Sequence, residues 1–249
     1  MTADNCPLAD LKALWLEAFD DTPDIPEAFF TTGFSAERFQ CVWQDHKPVS
    51  ALYWFDCTLH GQKIAYLYAA ATAKDYRGKG LFRQLMTQTH ETLTQKGYAG
   101  AVLVPGSRNL YDLYGKLGYR TVTSVTEFDC DWSETPVALQ ELAPDRYAAL
   151  RKALLPEGAL LQEGETLAFL LTQGKFYAGA DFLLAAAVED GMLAAQELLG
   201  NTSAASGILR ALNLPRGRFR APGTGREFAM FLPLRPQCPV PAYLGLALD

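Results

Sequence analysis

The apolar positions divide the chain into alternating helical and extended stretches. Leu8, Leu11, Leu14, Trp15 and Ala18 recur at helical spacing and predict an amphipathic helix ending near Phe19. The acidic, proline-broken run Asp20 to Glu27 turns the chain, and a second helix takes in Ala28, Phe29 and Phe30. Three extended runs follow, 38–43, 49–59 and 64–72, separated by the turns Asp45-His46-Lys47 and His60-Gly61. They predict an antiparallel meander. Its rings, Tyr53, Trp54, Phe55, Tyr66 and Tyr68, read as core and sheet face, with a minority left to line a pocket. The linker Ala73-Lys74-Asp75-Tyr76 then leads to Arg77-Gly78-Lys79-Gly80, after which Leu81, Phe82, Leu85, Met86, Thr89 and Leu93 mark a helix. Residues 101–104 form a short strand stopped by Pro105-Gly106. Leu110, Leu113 and Leu117 predict the buried stripe of one more helix, which Gly118 closes, and residues 120–130 read as one strand.

Beyond the linker-like Asp131-Trp132-Ser133-Glu134-Thr135-Pro136 the pattern restarts. Two helical stretches centre on Tyr147 to Leu155 and Leu167 to Leu171. Residues 182–188 and 192–199 predict a hairpin across Glu189-Asp190-Gly191. Gly207-Ile208-Leu209-Arg210-Ala211-Leu212 then matches Gly80-Leu81-Phe82-Arg83-Gln84-Leu85 in character, and Ala221-Pro222-Gly223-Thr224 echoes Val104-Pro105-Gly106-Ser107. This is a weak internal repeat, of which the second copy is eroded. Ala204-Ala205-Ser206 stands where Arg77-Gly78-Lys79 would, and no helix separates Gly223 from the strand-like 228–234. Four prolines between Pro233 and Pro241 make the tail an irregular wrap, a candidate cover for a pocket.

The chemistry concentrates at Arg77 to Gly80. A helix that opens on glycines presents free backbone N–H groups, and these with the helix dipole favour an anion. Arg77 and Lys79 add positive charge beside them. Neither the P-loop spacing nor the Gly-x-Gly-x-x-Gly dinucleotide pattern is present. The residues leave two readings open: a phosphate-bearing cofactor held at the helix start, or a solvated turn ahead of a core-packed helix.

Two stretches together resemble the GNAT superfamily of acyl-CoA N-acyltransferases. Strand, Arg77-Gly78-Lys79-Gly80-Leu81-Phe82 and helix resemble its diphosphate loop. Leu113-Tyr114-Gly115-Lys116-Leu117-Gly118-Tyr119 resembles its Leu-Tyr-x-Lys-x-Gly-Phe/Tyr signature. The loop departs at Phe82, where the family has a small residue. The resemblance implies an α/β fold with a mixed sheet, in two tandem GNAT-like halves: residues 1–131 with the CoA site and a degenerate 136–249. It implies acetyl-CoA as co-substrate and an acetyl group moved directly to a primary amine of a small molecule or peptide. The strand end Ala70, Ala71, Thr72 and Ala73 would hold the pantetheine arm, and the amides of Gly78 to Phe82 the diphosphate, with Arg77 and Lys79 screening charge. Tyr114 would be the general acid, with Tyr111 its local competitor. Asp20, Asp21, Glu127 and Asp129, or a water chain, are the candidate bases.

Composition trims the alternatives. A formal net charge of −6 and a pI of about 5.2 argue against a nucleic-acid partner. Five scattered cysteines, odd in number and without a Cys-x-x-Cys pair, predict reduced packing residues in a cytoplasmic protein. His46, His60 and His90 show no metal-ligand spacing, and neither a signal peptide nor a membrane span is expected. The chain is expected as a monomer or homodimer. The rival function is a CoA-binding or ligand-sensing module without chemistry.

Overall fold

The computed structural model describes residues 8–248. The first amphipathic pattern forms α1 (Leu8–Ala18), which buries Leu11, Leu14 and Trp15, and the second forms α2 (Asp24–Thr32), which buries Phe29 and Phe30. The meander is β1 (Phe39–Gln44), β2 (Lys47–Leu59) and β3 (Gln62–Thr72). Then come α3 (Leu81–Gln95), β4 (Gly100–Leu103), α4 (Arg108–Gly115), β5 (Arg120–Thr121) and β6 (Ser124–Asp131). The rest of the chain runs β7 (Gln140–Leu142), α5 (Pro144–Leu154), β8 (Leu161–Gln162), α6 (Glu165–Gln173) and β9 (Lys175–Ala178). It ends with β10 (Phe182–Glu189), β11 (Met192–Gly200), α7 (Ala205–Ala211), β12 (Arg216–Pro222), β13 (Arg226–Glu227) and β14 (Met230–Pro233).

Two mixed sheets result. The first has the order β1-β2-β3-β4-β14-β5, with β8 also paired to β2, and the second has the order β13-β6-β12-β11-β10-β9-β7. Each contains one parallel pair, β3 with β4 and β11 with β12, and each pair is linked through a helix, α3 or α7. In each, the strand beyond the parallel pair comes from the far part of the chain. β14 sits between β4 and β5, and β6 sits between β12 and β13. The two sheets have therefore exchanged one strand.

The exchange corrects the expectation of a single strand over 120–130. The chain leaves the first sheet after Thr121 and enters the second at Ser124. Between them it crosses the incoming segment 228–229. The Val122 amide donates to the Ala229 carbonyl, the Phe228 amide to the Thr123 carbonyl, and the Ala229 amide to Thr123 Oγ1 at 2.9 Å. Gly100 permits the neighbouring contact, since a Cβ there would lie 2.3 Å from the Phe231 ring of β14. Thr123 is 2% exposed and Ala229 fully buried. Thr123→Val keeps the shape but orphans the Ala229 N–H, so it should lower stability by about 1–3 kcal/mol. Urea or thermal melting checks this, and an unchanged midpoint would show that the crossing is not anchored there.

One central core joins the halves. Trp15, Phe29, Tyr53 and Phe55 pack with Leu167, Phe169, Phe176 and Tyr243. Phe29 meets Phe169 edge-on at 5.5 Å between ring centroids, and Phe55 stacks on the same ring at 6.2 Å. Outer cores lie beneath α3 and α7. In α4 the expected stripe is rotated. Leu113 is 38% exposed, Leu110 and Leu117 are half-buried, and the side chain turned into the core is Tyr114, 8% exposed.

Cys57 is buried, and burial pushes its thiol up to about 12, so it packs and does not react. Cys41, Cys57, Cys130 and Cys238 are free thiols, while Cys6 lies outside the described residues. No helix among the described residues is long and apolar enough to cross a membrane.

Candidate active site

β3 and β4 pair only at Ile64–Tyr66 with Gly100–Val102. Past Tyr66 they part, and Leu67 to Ala70 face Leu103 and Val104 across a cavity of about 480 Å³. The other edge of β3 stays on β2 but is bulged. Tyr53 pairs with Tyr68 and Ala51 with Ala71, so Leu52 stands opposite both Ala69 and Ala70. Ala69 takes a left-handed φ of 48°. Such a bulge removes one residue from the ladder and re-aims its backbone groups. Small side chains here leave room for a ligand to lie along the strand.

Ala70 lines the cavity, whereas Ala71 and Thr72 continue the strand beyond it and Ala73 follows its end. The Ala73 amide is already bonded to the Val49 carbonyl at 2.9 Å. Backbone groups alternate sides along a strand, so Thr72 turns its peptide edge toward the side that β4 has vacated. Consistent with this, the Thr72 carbonyl accepts Arg77 Nε at 3.0 Å. Ser50 Oγ ties the strand down by donating to the Ala71 carbonyl.

The chain then enters the glycine loop through the short turn Lys74–Tyr76. Gly78 and Gly80 have φ of +74° and +79°, and Gly80 caps α3 with no side-chain bond to the helix amides. The first inward bond of the helix is Gln84 N–H to the Gly80 carbonyl at 3.1 Å. Among the described residues, no protein acceptor meets the amides of Gly78, Lys79, Gly80, Leu81 or Phe82. A Cβ built on either glycine would meet nothing within 4 Å, so the loop faces open space. The amides form an anion-binding concavity at a helix start. Arg77 and Lys79 are exposed beside it, with Lys79 Nζ 5.0 Å from the centre of the Tyr76 ring.

Tyr114 reaches the same cavity from α4. Its ring packs edge-on against Phe82 at 6.0 Å and against Tyr119 at 5.8 Å, and its hydroxyl has no hydrogen-bond partner among the described residues. Burial pushes this phenol up to about 12. Tyr119 is held in turn by His90, whose Nε2 lies 2.9 Å from the Tyr119 hydroxyl. The competitor Tyr111 is engaged elsewhere, donating to the Phe228 carbonyl at 2.8 Å.

Of the candidate bases, Asp21 alone lines the cavity. Trp15 Nε1 donates to its Oδ2 at 2.7 Å and fixes it there. Glu127 and Asp129 lie on β6 in the second sheet. Glu127 is bonded to Arg226 and Arg220, and Asp129 to Arg218. Hydrogen bonds from Arg226 hold the Glu127 carboxyl below its ordinary range.

Residues from the second half complete the wall. Gln173 of α6, Glu189 at the β10–β11 turn and Gln196 of β11 all face the cavity. Nothing local in the sequence marks them, because they arrive from α6 and the second sheet. The tail covers part of it, with Ala247 and Leu248 in the lining and the Leu248 amide donating to Tyr66 Oη at 2.9 Å. The matching region of the second sheet is filled. Arg151 of α5 makes bonds of 2.6 and 2.8 Å to the buried Glu197 of β11, which also accepts from Tyr147 and Tyr243. The start of α7 is covered by the linker, whose Ser133 and Val137 amides donate to the Ser206 and Gly207 carbonyls. Among the described residues no group of His, Cys, Asp and Glu could hold a metal ion.

The family model for the acetyltransferase (GNAT) domain matches residues 5–122. Among solved structures, the chain is similar to a GCN5-related N-acetyltransferase from Anabaena variabilis. The TM-score is 0.71 at 15% identity, over 94% of this chain and 71% of that one. A putative acetyltransferase from Pyrococcus horikoshii gives a TM-score of 0.63 at 14% identity, over 99% and 93%. A GCN5-related N-acetyltransferase from Kribbella flavida gives 0.59 at 19% identity, over 79% of this chain, which spans 60% of that protein's length. At these identities the likeness is one of fold. No curated protein matches the chain.

Proposed function

We propose that the chain is an acyl-CoA-dependent N-acyltransferase that moves an acetyl group directly to a primary amine. One observation carries the reading. The parted strands, the bulge at Ala69 and the unpartnered Tyr114 hydroxyl line one cavity, and the open amides at the start of α3 adjoin it through Phe82, whose ring packs edge-on against Tyr114. The GNAT match over residues 5–122 supports it.

Each group has a task on this reading. The amides of Gly78 to Phe82 bind the diphosphate of acetyl-CoA, and Arg77 and Lys79 screen its charge. The vacated edge of β3 from Ala70 to Ala73 guides the pantetheine arm, with Thr72 offering its backbone. An amide of the Ala69–Ala70 bulge polarises the thioester carbonyl, and a donor so placed contributes about 10²–10³ in rate. Asp21, directly or through a water, takes a proton from the incoming ammonium. The amine nitrogen then bonds to the carbonyl carbon, the C–S bond breaks, Tyr114 gives its proton to the leaving thiolate, and the second proton lost from the nitrogen passes through solvent to restore the Tyr114 phenol, leaving a neutral amide and free thiol.

The two halves, 1–131 and 136–249, are read as tandem GNAT-like units that have traded a strand. The second works as a wall, because its own cleft is plugged by Arg151 and Glu197. Two measurements test the proposal on the full chain. Millimolar acetyl-CoA should raise the melting midpoint, since it binds only the folded state. Free thiol should appear when a primary amine is added. No midpoint shift would remove the CoA site, and a shift without thiol release from any amine would leave a ligand-sensing module.

A further inference from the structure

Resting on the acyltransferase reading, we propose that the acceptor is a diamine without a carboxylate, and that Glu189 selects it by its distal ammonium. The cavity is built for cations. Asp21 and Glu189 are its only charged side chains among the described residues, and no lysine, arginine or histidine lines it. Neither carboxylate has an ion-pair partner among those residues, although other acids such as Glu127, Asp129 and Glu197 do. Two anions of one sign facing a single cleft focus its potential and draw in positive charge.

The two anions divide the work by position. Asp21 is held by Trp15 next to Tyr68, one residue from the bulge, and its charge adds to burial in holding the Tyr68 phenol high. It stands at the reacting end. Glu189 enters from the β10–β11 turn, where Asp190 and Gly191 take φ of 49° and 74° and fix the tight reversal. It stands on the wall contributed by the second half. The rest of the lining carries no charge, combining the apolar Ile25, Leu170 and Leu248 with the neutral amides Gln173 and Gln196. An alkyl spacer with an ammonium at each end satisfies both carboxylates and the walls between. A carboxylate on the spacer would meet two like charges and no cation. Independently, the Tyr114 side chain is 8% exposed and reaches this cavity with a hydroxyl that no protein group bonds among the described residues, which suits a ligand there.

Three acceptors on related skeletons test this with the full chain, saturating acetyl-CoA and free-thiol detection. They are 1,5-diaminopentane, pentylamine, which lacks the distal ammonium, and lysine, which adds a carboxylate. The kcat/KM for 1,5-diaminopentane should exceed both others at least tenfold. In Glu189→Gln the diamine-to-monoamine ratio should collapse to near one, and Glu189→Asp should restore much of it. Equal kcat/KM for lysine and the diamine, or a ratio untouched by Glu189→Gln, would overturn the inference and leave acyl transfer standing. Thiol release from none of the three, with acetyl-CoA still raising the melting midpoint, would likewise overturn the inference alone. Loss of that midpoint shift as well would remove the acyltransferase reading on which it rests.

Discussion

Tyr114→Phe should lower kcat by about 10²–10⁴ while leaving the KM for acetyl-CoA within a few-fold, the range expected for losing one positioned general acid. The phenol faces the cavity and bonds no protein group, so removing its oxygen strands no partner. The melting midpoint of the variant should therefore stay within about a degree of wild type, because surface-like deletions without lost partners sit near ±0.5 kcal/mol. A tyrosine present only for packing would give the same midpoint and also the same turnover. The pH dependence sharpens the test. Burial raises this phenol to about 12, so the protonated, active form persists through neutral pH and fails only as pH climbs toward that value. The alkaline side of the wild-type kcat profile should accordingly stay flat to about pH 10, the ordinary phenol value. A downturn near pH 8 that vanishes in Tyr114→Phe would show a much more acidic group in that role and would contradict the buried setting.

The parts of the site that were legible in the sequence are those whose conformation is decided locally. Gly78 and Gly80 announce left-handed backbone ahead of a helical apolar stripe, and both adopt it. The hairpin across Asp190-Gly191 was equally plain for the same reason. The bulge was not legible, since Ala69 carries no residue-type signal for a φ of 48° and is forced there by the mismatch between β2 and β3. Nor was the strand exchange. Residues 120–130 have continuous strand character, and what splits them is β14, more than a hundred residues away, which takes the place beside β4. The stripe of α4 is legible only in part, because three leucines outweigh one tyrosine in an apolar count and Leu113 faces outward. The helix instead turns Tyr114 inward, between Phe82 and Tyr119. Choosing Asp21 over Asp20, and finding Glu189 at all, required tertiary contacts: the Trp15 indole in one case, the second sheet in the other.

Gly80→Ala should weaken acetyl-CoA binding about 10–100-fold, and Gly61→Ala should leave it unchanged, although the two should destabilise the protein alike. The comparison works because the sites are matched. Gly80 has φ +79° and Gly61 φ +76°, and a Cβ on either meets no atom within 4 Å. Both substitutions therefore carry only the left-handed backbone penalty of about 1–2 kcal/mol. That cost is relieved when the residue rotates out of the left-handed region. At Gly61, in the turn between β2 and β3, the relaxation touches solvent alone. At Gly80 it swings the amides that open α3 away from their common focus, and the new methyl stands where a diphosphate would approach. Losing one charge-assisted hydrogen bond is worth about 1.5–3 kcal/mol, which sets the expected factor. Calorimetric titration with acetyl-CoA, alongside thermal melts of both variants, separates the effects. Equal affinity in the two alanine variants would mean that the amides of Gly78 to Phe82 face solvent and not a diphosphate, and the cofactor site would have to be sought elsewhere in the cleft.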